Sequence, residues 1–286
     1  MDEPAPELLL GRSFGEDVSA WPQLKVSRAV QHMKDLEGRL VTWVSGKPFT
    51  FEKRFSEDRL QWRQAVKVSS PPPLFEWSLI VGDCFNNLRA SLDACIWELA
   101  HLDGAAPPRP NQLAFPIVTD ESKWVQARRY KLQTVPDDIA ARIQVLQPFR
   151  RAPEGVGRDA LVVLSKLNNI DKHRSNIAVN IEGDQININA RIAWESPDAA
   201  QRNLPPQVSV YEPRVIDGAV FMEITSPDRM ASVKGGSGFR FKVTIDTGND
   251  ARENVFQLAD NLIRYVQTIH ASLLEGLVKD EPGKPS

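Results

Sequence analysis

Cysteine is nearly absent from this chain: Cys84 and Cys95 are the only two. They fall in one helical pattern, about 16 Å apart along the axis, beyond the reach of a disulfide within that helix. A disulfide scaffold is therefore excluded, and both read as buried thiols. Histidine is equally sparse, and His32, His101, His173 and His270 are isolated from one another, with no zinc-ligand spacing. No metal and no cofactor is expected. Long apolar runs are missing too. Nothing approaches the roughly 18 residues that span a bilayer, and the acidic opening with Leu8 to Leu10 lacks the basic lead and long apolar stretch of a signal peptide. These absences lead to the expectation of a cytoplasmic protein with no membrane association. With 35 basic and 37 acidic side chains the formal charge is −2, which gives no global attraction for a polyanion. Any nucleic-acid contact would need a local patch. No internal repeat of solenoid length is present.

What is present suits a packed core, since 42% of the 286 residues are hydrophobic. Hydrophobic periodicity predicts a helix opening at Trp21-Pro22 and ending near Ser45-Gly46, then a hairpin from residues 49 to 68. Residues 75 to 102 give the strongest helical pattern, with Ile80, Val81, Cys84, Phe85, Leu88, Leu92, Cys95, Ile96 and Leu99 on one face. Further helices are expected at 121 to 131, 136 to 146 and 158 to 173. A period of two then takes over. Val179 and Ile181 precede Gly183-Asp184, which reads as a turn, and Ile186, Ile188 and Ile192 alternate after it. Strands are also expected at 207–212, 218–226 and 239–246. The fold class is α+β: a helical bundle-like N-terminal half, an antiparallel β-sheet and a long C-terminal helix. The expected organisation is a loosely ordered stretch over 1–20, one domain over 21–278 and a disordered tail over 279–286. Within that domain lie a helical part (21–174) that includes the hairpin, a sheet part (175–246) and a closing helix (250–278) laid over the sheet.

Two polar clusters carry the functional reading. On the helix 75–102, Asn86, Arg89 and Asp93 share one stripe opposite the apolar face, with Gly82 in line and Asp83 alongside. The plain interpretation is a solvated face with an Arg-Asp pair. The second cluster is Asn168-Asn169-Ile170-Asp171-Lys172-His173-Arg174. Helical phasing puts Asp171 in line with Ala160, Leu164 and Leu167, toward the core, where a carboxylate needs a partner. Arg89 is the natural one, with Lys172, His173 and Arg174 as local alternatives. His173 at the helix end is a candidate general acid or base. Gly155-Val156-Gly157 and Gly235-Gly236-Ser237-Gly238 lack the context of a phosphate loop and read as turns.

The segments from Gly82 to Asp93, Phe115-Pro116-Ile117, Leu146-Gln147-Pro148-Phe149 and Asn169 to Arg174 resemble a family of uncharacterised bacterial proteins. That family carries GDxxxNLRxxLD and NIDKHR motifs, and the resemblance brings no assigned activity. Its Arg-x4-His spacing is also similar to that of HEPN domains, helical modules that include metal-independent endoribonucleases. Here Arg89 stands at the Arg position and Ala94 at the His position, so a nuclease of this kind would need His173 instead.

Three readings follow. In the first, a non-enzymatic binding module takes a small anionic ligand, an RNA or a protein partner between two helices, using Asp83, Asn86, Asn87, Arg89, Asp93, Asn168, Asp171, Lys172 and Arg174. In the second, a HEPN-like ribonuclease uses Arg89 and His173. In the third, the clusters are a structural network. The oligomeric state is left open.

Overall fold

The computed structural model describes residues 20–104, 106–173, 177–212, 214–247, 252–275 and 277. The stretches expected to be loose at the start and disordered in the tail lie outside these residues, apart from Ala20. The chain begins with α1 (Ala20–Ser45), a hairpin of β1 (Phe49–Phe55) and β2 (Gln61–Val68), and α2 (Leu74–Leu99). Then come α3 (Trp124–Lys131), α4 (Asp137–Val145), the single turn α5 (Pro148–Arg151) and α6 (Ala160–His173). The second half holds β3 (Val179–Trp194), the short α7 (Pro197–Arg202), β4 (Gln207–Val210), β5 (Val220–Thr225), β6 (Met230–Asp246), β7 (Arg252–Asn254) and α8 (Val255–Leu274). This is an α+β fold with helices first, antiparallel sheets next and a helix at the end. Among the described residues, no helix is long and apolar enough to cross a membrane.

The central element is α2, which packs against α1, α6 and α8. Its Trp77, Val81, Cys84, Phe85, Leu88, Leu92, Cys95, Ile96 and Leu99 are sealed from solvent. Burying a side chain of this size contributes about 1.5–3 kcal/mol, so this helix organises the larger core. The same core takes in Val179, Val243 and Ile245 from one end of the β3–β6 pair. Burial pushes both thiols up to about 12, so Cys84 and Cys95 stay protonated and inert.

Four expectations change. The early hairpin does not stand apart from the later strands: β2 pairs with β5, giving a four-stranded sheet in the order β1-β2-β5-β4. Gly183-Asp184 is not a hairpin turn, because β3 runs through it and pairs with β6 along its whole length. The register steps from Gly183↔Phe241 to Gln185↔Arg240, leaving Asp184 as a bulge residue. One extra residue reverses the phase of the alternation just as a turn does, so the sequence pattern alone does not separate the two. Gly235 to Gly238 likewise lie inside β6 and not in a turn. Finally, α8 packs on α1, α2, α4 and α6, touching the sheet at β6 and β7, so its apolar face is covered mainly by helices. It starts later than expected because Arg252–Asn254 pair with β6 and Asn254 Oδ1 then caps the helix, accepting from the Phe256 and Gln257 amides.

Gly235 is in β6 for a steric reason. Its φ is +126°, and an added Cβ would collide with the Asn189 carbonyl, reaching 2.8 Å from the carbonyl carbon. Gly235→Ala therefore should lose at least about 2 kcal/mol of stability in urea denaturation, because backbone on the facing strand cannot give way.

Candidate functional site

The polar stripe of α2 is covered only in part, for Asp83 is exposed and the Asp93 side chain is 36% exposed. The Arg89 side chain is only 13% exposed, because the segment after α2 lies across it. Arg89 Nη2 donates to Asp93 Oδ1 at 2.7 Å and to the Phe115 carbonyl at 2.8 Å. Asp93 Oδ1 accepts from the Phe115 amide at 2.9 Å. Both backbone groups of one buried residue are thus satisfied by a pair one helical turn apart. Burial lowers the Arg89 pKa and Asp93 opposes that shift. Lys131 at the end of α3 is lowered first by burial and then by the Arg89 charge, with Asp93 again opposing. Its own carbonyl accepts from the Ala114 amide at 3.4 Å.

The strap continues into a second bracket. Gln147, fully buried, accepts from the Val118 amide through Oε1 at 2.9 Å and donates through Nε2 to the Ile143 carbonyl at 3.0 Å. The Phe149 amide reaches the Val118 carbonyl at 3.4 Å. The strap 115–118 is therefore tied at one end by Arg89 and Asp93 and at the other by Gln147 and Phe149. Backbone carried into a core away from regular structure needs such partners, since an orphaned buried amide costs about 1–3 kcal/mol.

Asp171 occupies a different place on the same stripe. Its carboxylate lies over Gly82, where a Cβ would collide with it and stand 2.8 Å from Cγ. Gly82 precedes Arg89 by two turns, about 10 Å along the axis. The expected Arg89–Asp171 pair is therefore not formed: Arg89 is held by Asp93 and Phe115, and the two clusters sit apart along α2. Asn168, one turn before Asp171, is 5% exposed, and its Oδ1 is buried without a hydrogen-bond partner, as is Arg89 Nη1. Asn86 and Asn87 are half-buried, Asp83 is exposed, and Asn87 Nδ2 donates to the Asp83 carbonyl at 2.8 Å. Lys172 and His173 belong to the backbone of α6, their side chains lying outside what the structure describes, as does Arg174 altogether.

The sequence reading missed His270. The residue falls four positions after Val266 and three before Leu273, on the apolar face of α8, and that phasing is the signal that could have found it. It is 4% exposed, with Nε2 at 3.1 Å from Ser91 Oγ, while the Ser91 hydroxyl donates to the Pro22 carbonyl at 3.1 Å. With that proton on Pro22, the ring supplies its own Nε2 proton to Ser91. The three residues tie α8, α2 and α1 together beside a groove of about 1200 Å³ between α1 and α8. Desolvation brings the imidazole down to about 4 from an ordinary 6.5.

On the α2 stripe Arg89 Nη2, Asp93 Oδ1 and Asn87 Nδ2 bond backbone groups or one another, while Arg89 Nη1 is buried without a partner. Among the described residues no group of His, Cys, Asp and Glu could hold a metal ion. Comparison of the chain with protein-family models, with curated proteins and with solved structures finds no match in any of the three.

Two outcomes are expected. Asp93→Asn should cost about 2 kcal/mol in chemical denaturation, since it withdraws the counter-charge from Arg89 and weakens the Phe115 bracket. Because the folded pKa of His270 is depressed, the unfolded chain binds more protons between pH 6.5 and 4. Stability should fall across that window by up to about 3 kcal/mol at 1.36 kcal/mol per pH unit. His270→Gln should flatten that part of the pH–stability curve relative to wild type.

Proposed function

We propose that the chain is a non-catalytic binding module in which the polar clusters of α2 and α6 are the frame that holds its shape. One observation carries this reading: Arg89 and Asp93 are occupied with the amide and carbonyl of Phe115. A ribonuclease of the HEPN kind needs an arginine free to meet the scissile phosphate and a proton-transferring group in the next turn. Here Nη2 is engaged twice and Nη1 is buried, and the next turn offers the methyl group of buried Ala94. The four segments that carry the family resemblance fit the same account. The α2 motif and the LQPF bracket hold the FPI strap, and Asp171 of the NIDKHR segment seats α6 on Gly82. Residues that serve one another's backbones leave the binding role to surfaces outside the clusters.

The test is incubation of purified protein with structured and unstructured RNA in EDTA, with product analysis by denaturing gel. Intact RNA is expected for wild type and for Arg89→Lys alike. Cleavage by wild type that disappears in Arg89→Lys, with the fold retained by circular dichroism, would replace this reading with the nuclease.

A further inference from the structure

Resting on the reading of the chain as a non-catalytic binding module, a second surface supplies what the helix clusters do not. Strands β3 and β6 form a two-stranded ribbon over most of their length, with β7 joining only at Thr244 to Asp246. One face of the ribbon is covered, since Ile192, Trp194 and Val233 pack against Trp62, Val66, Phe221 and Met222 of the four-stranded sheet. The other face carries Arg191 and Lys234, which are direct cross-strand partners and both exposed. Directly opposed side chains share a face, with Cβ atoms about 5 Å apart, and like charges in that position destabilise the pair.

The protein avoids this cost elsewhere. Arg63 faces Arg54 across β1 and β2, but Arg63 bonds Glu223 at 2.9 Å and Arg54 bonds Glu52 at 2.8 Å. Arg252 is paired with Glu182 and Lys67 with Asp217. Among the described residues, Arg191 and Lys234 have no carboxylate and no hydrogen-bond partner. They border a groove of about 360 Å³ that Asn189 and Ser232 also line, residues whose positions put them on the same face. A third cation stands close by, for Lys53 Nζ donates to the Gly235 carbonyl at 3.1 Å.

Further along β6 comes exposed Arg240. Arg240 lies six positions after Lys234, about 20 Å of extended strand. One small anion satisfies the first pair of cations but cannot also reach the last.

We infer that the outer face of the β3–β6 ribbon binds the phosphodiester backbone of a nucleic acid, with Arg191 and Lys234 holding one phosphate and Arg240 meeting the strand farther on. The near-neutral net charge of the whole chain is compatible with this, because the contact is local and the ribbon's unpaired cations supply it.

The experiment is fluorescence anisotropy of full-length protein with labelled 20-mers of single-stranded RNA, single-stranded DNA and duplex, over a range of salt. Wild type should bind at low salt and weaken linearly on a log–log plot. Arg191→Gln/Lys234→Gln should bind about tenfold or more weakly, with a slope reduced by about 0.7, the value for one phosphate of a single strand. Its melting temperature should be unchanged or higher, since the substitutions relieve a like-charge pair. The three probes separate RNA from DNA and single strand from duplex. No salt-dependent binding by wild type, equal binding by the double variant, or equal competition by poly-glutamate would overturn the inference. Cleavage of the labelled RNA would overturn the non-catalytic reading instead, and a gel of the same samples tells the two failures apart.

Discussion

The structure depends on one local arrangement: Arg89 and Asp93 presenting a donor and an acceptor, one turn apart on α2, to the two backbone groups of Phe115. A buried strap outside any helix or sheet must find partners for its amides and carbonyls, and it finds them here and at Gln147. Once the strap is tied down, α3 and α4 follow from its far end and Phe115 closes the large core. The ion pair is thus less a source of stability in itself than a way of satisfying the backbone that crosses it. Gly82 works by a similar logic, since the absence of a side chain lets the Asp171 carboxylate come against α2.

The two sheets share this use of close approach. Gly235 lets β6 run against β3 where any side chain would meet the Asn189 carbonyl, so the ribbon stays continuous across a glycine-rich stretch. The inner face of the ribbon is fixed by packing against Trp62 and Phe221. Its outer face carries Arg191 and Lys234, to which no carboxylate among the described residues is paired. A polar helix stripe partly turned inward and a cationic ribbon face turned outward reverse the division of labour that residue types alone suggest, because what decides it is which surface another element covers.

Much of the fold was legible from periodicity. The helices on α1, α2, α6 and α8 and the early hairpin follow from spacing of apolar residues, because an amphipathic face reports burial whatever lies against it. The candidate residues around Arg89 were legible as a stripe, and Asp171 as a carboxylate facing inward. Their partners were not. The i,i+4 relation of Arg89 to Asp93 is local and visible in sequence, whereas the bond to Phe115 crosses 26 residues. His270 was passed over because an isolated histidine has no spacing to compare, and only the packing of α8 on α2 brings it to Ser91.

By itself the sequence determined the α+β class, the face each long helix buries and the lack of disulfide or zinc-ligand spacing, since these depend on local period and composition. Tertiary structure decided the rest: that Gly183-Asp184 is a bulge, that the early hairpin joins the later strands, that Asp171 seats on Gly82, and that Arg191 faces Lys234 with no acid between them. Each is a relation between residues far apart in the chain. A period read along one strand or helix says which side is buried, but only the register of the packed chain says against what.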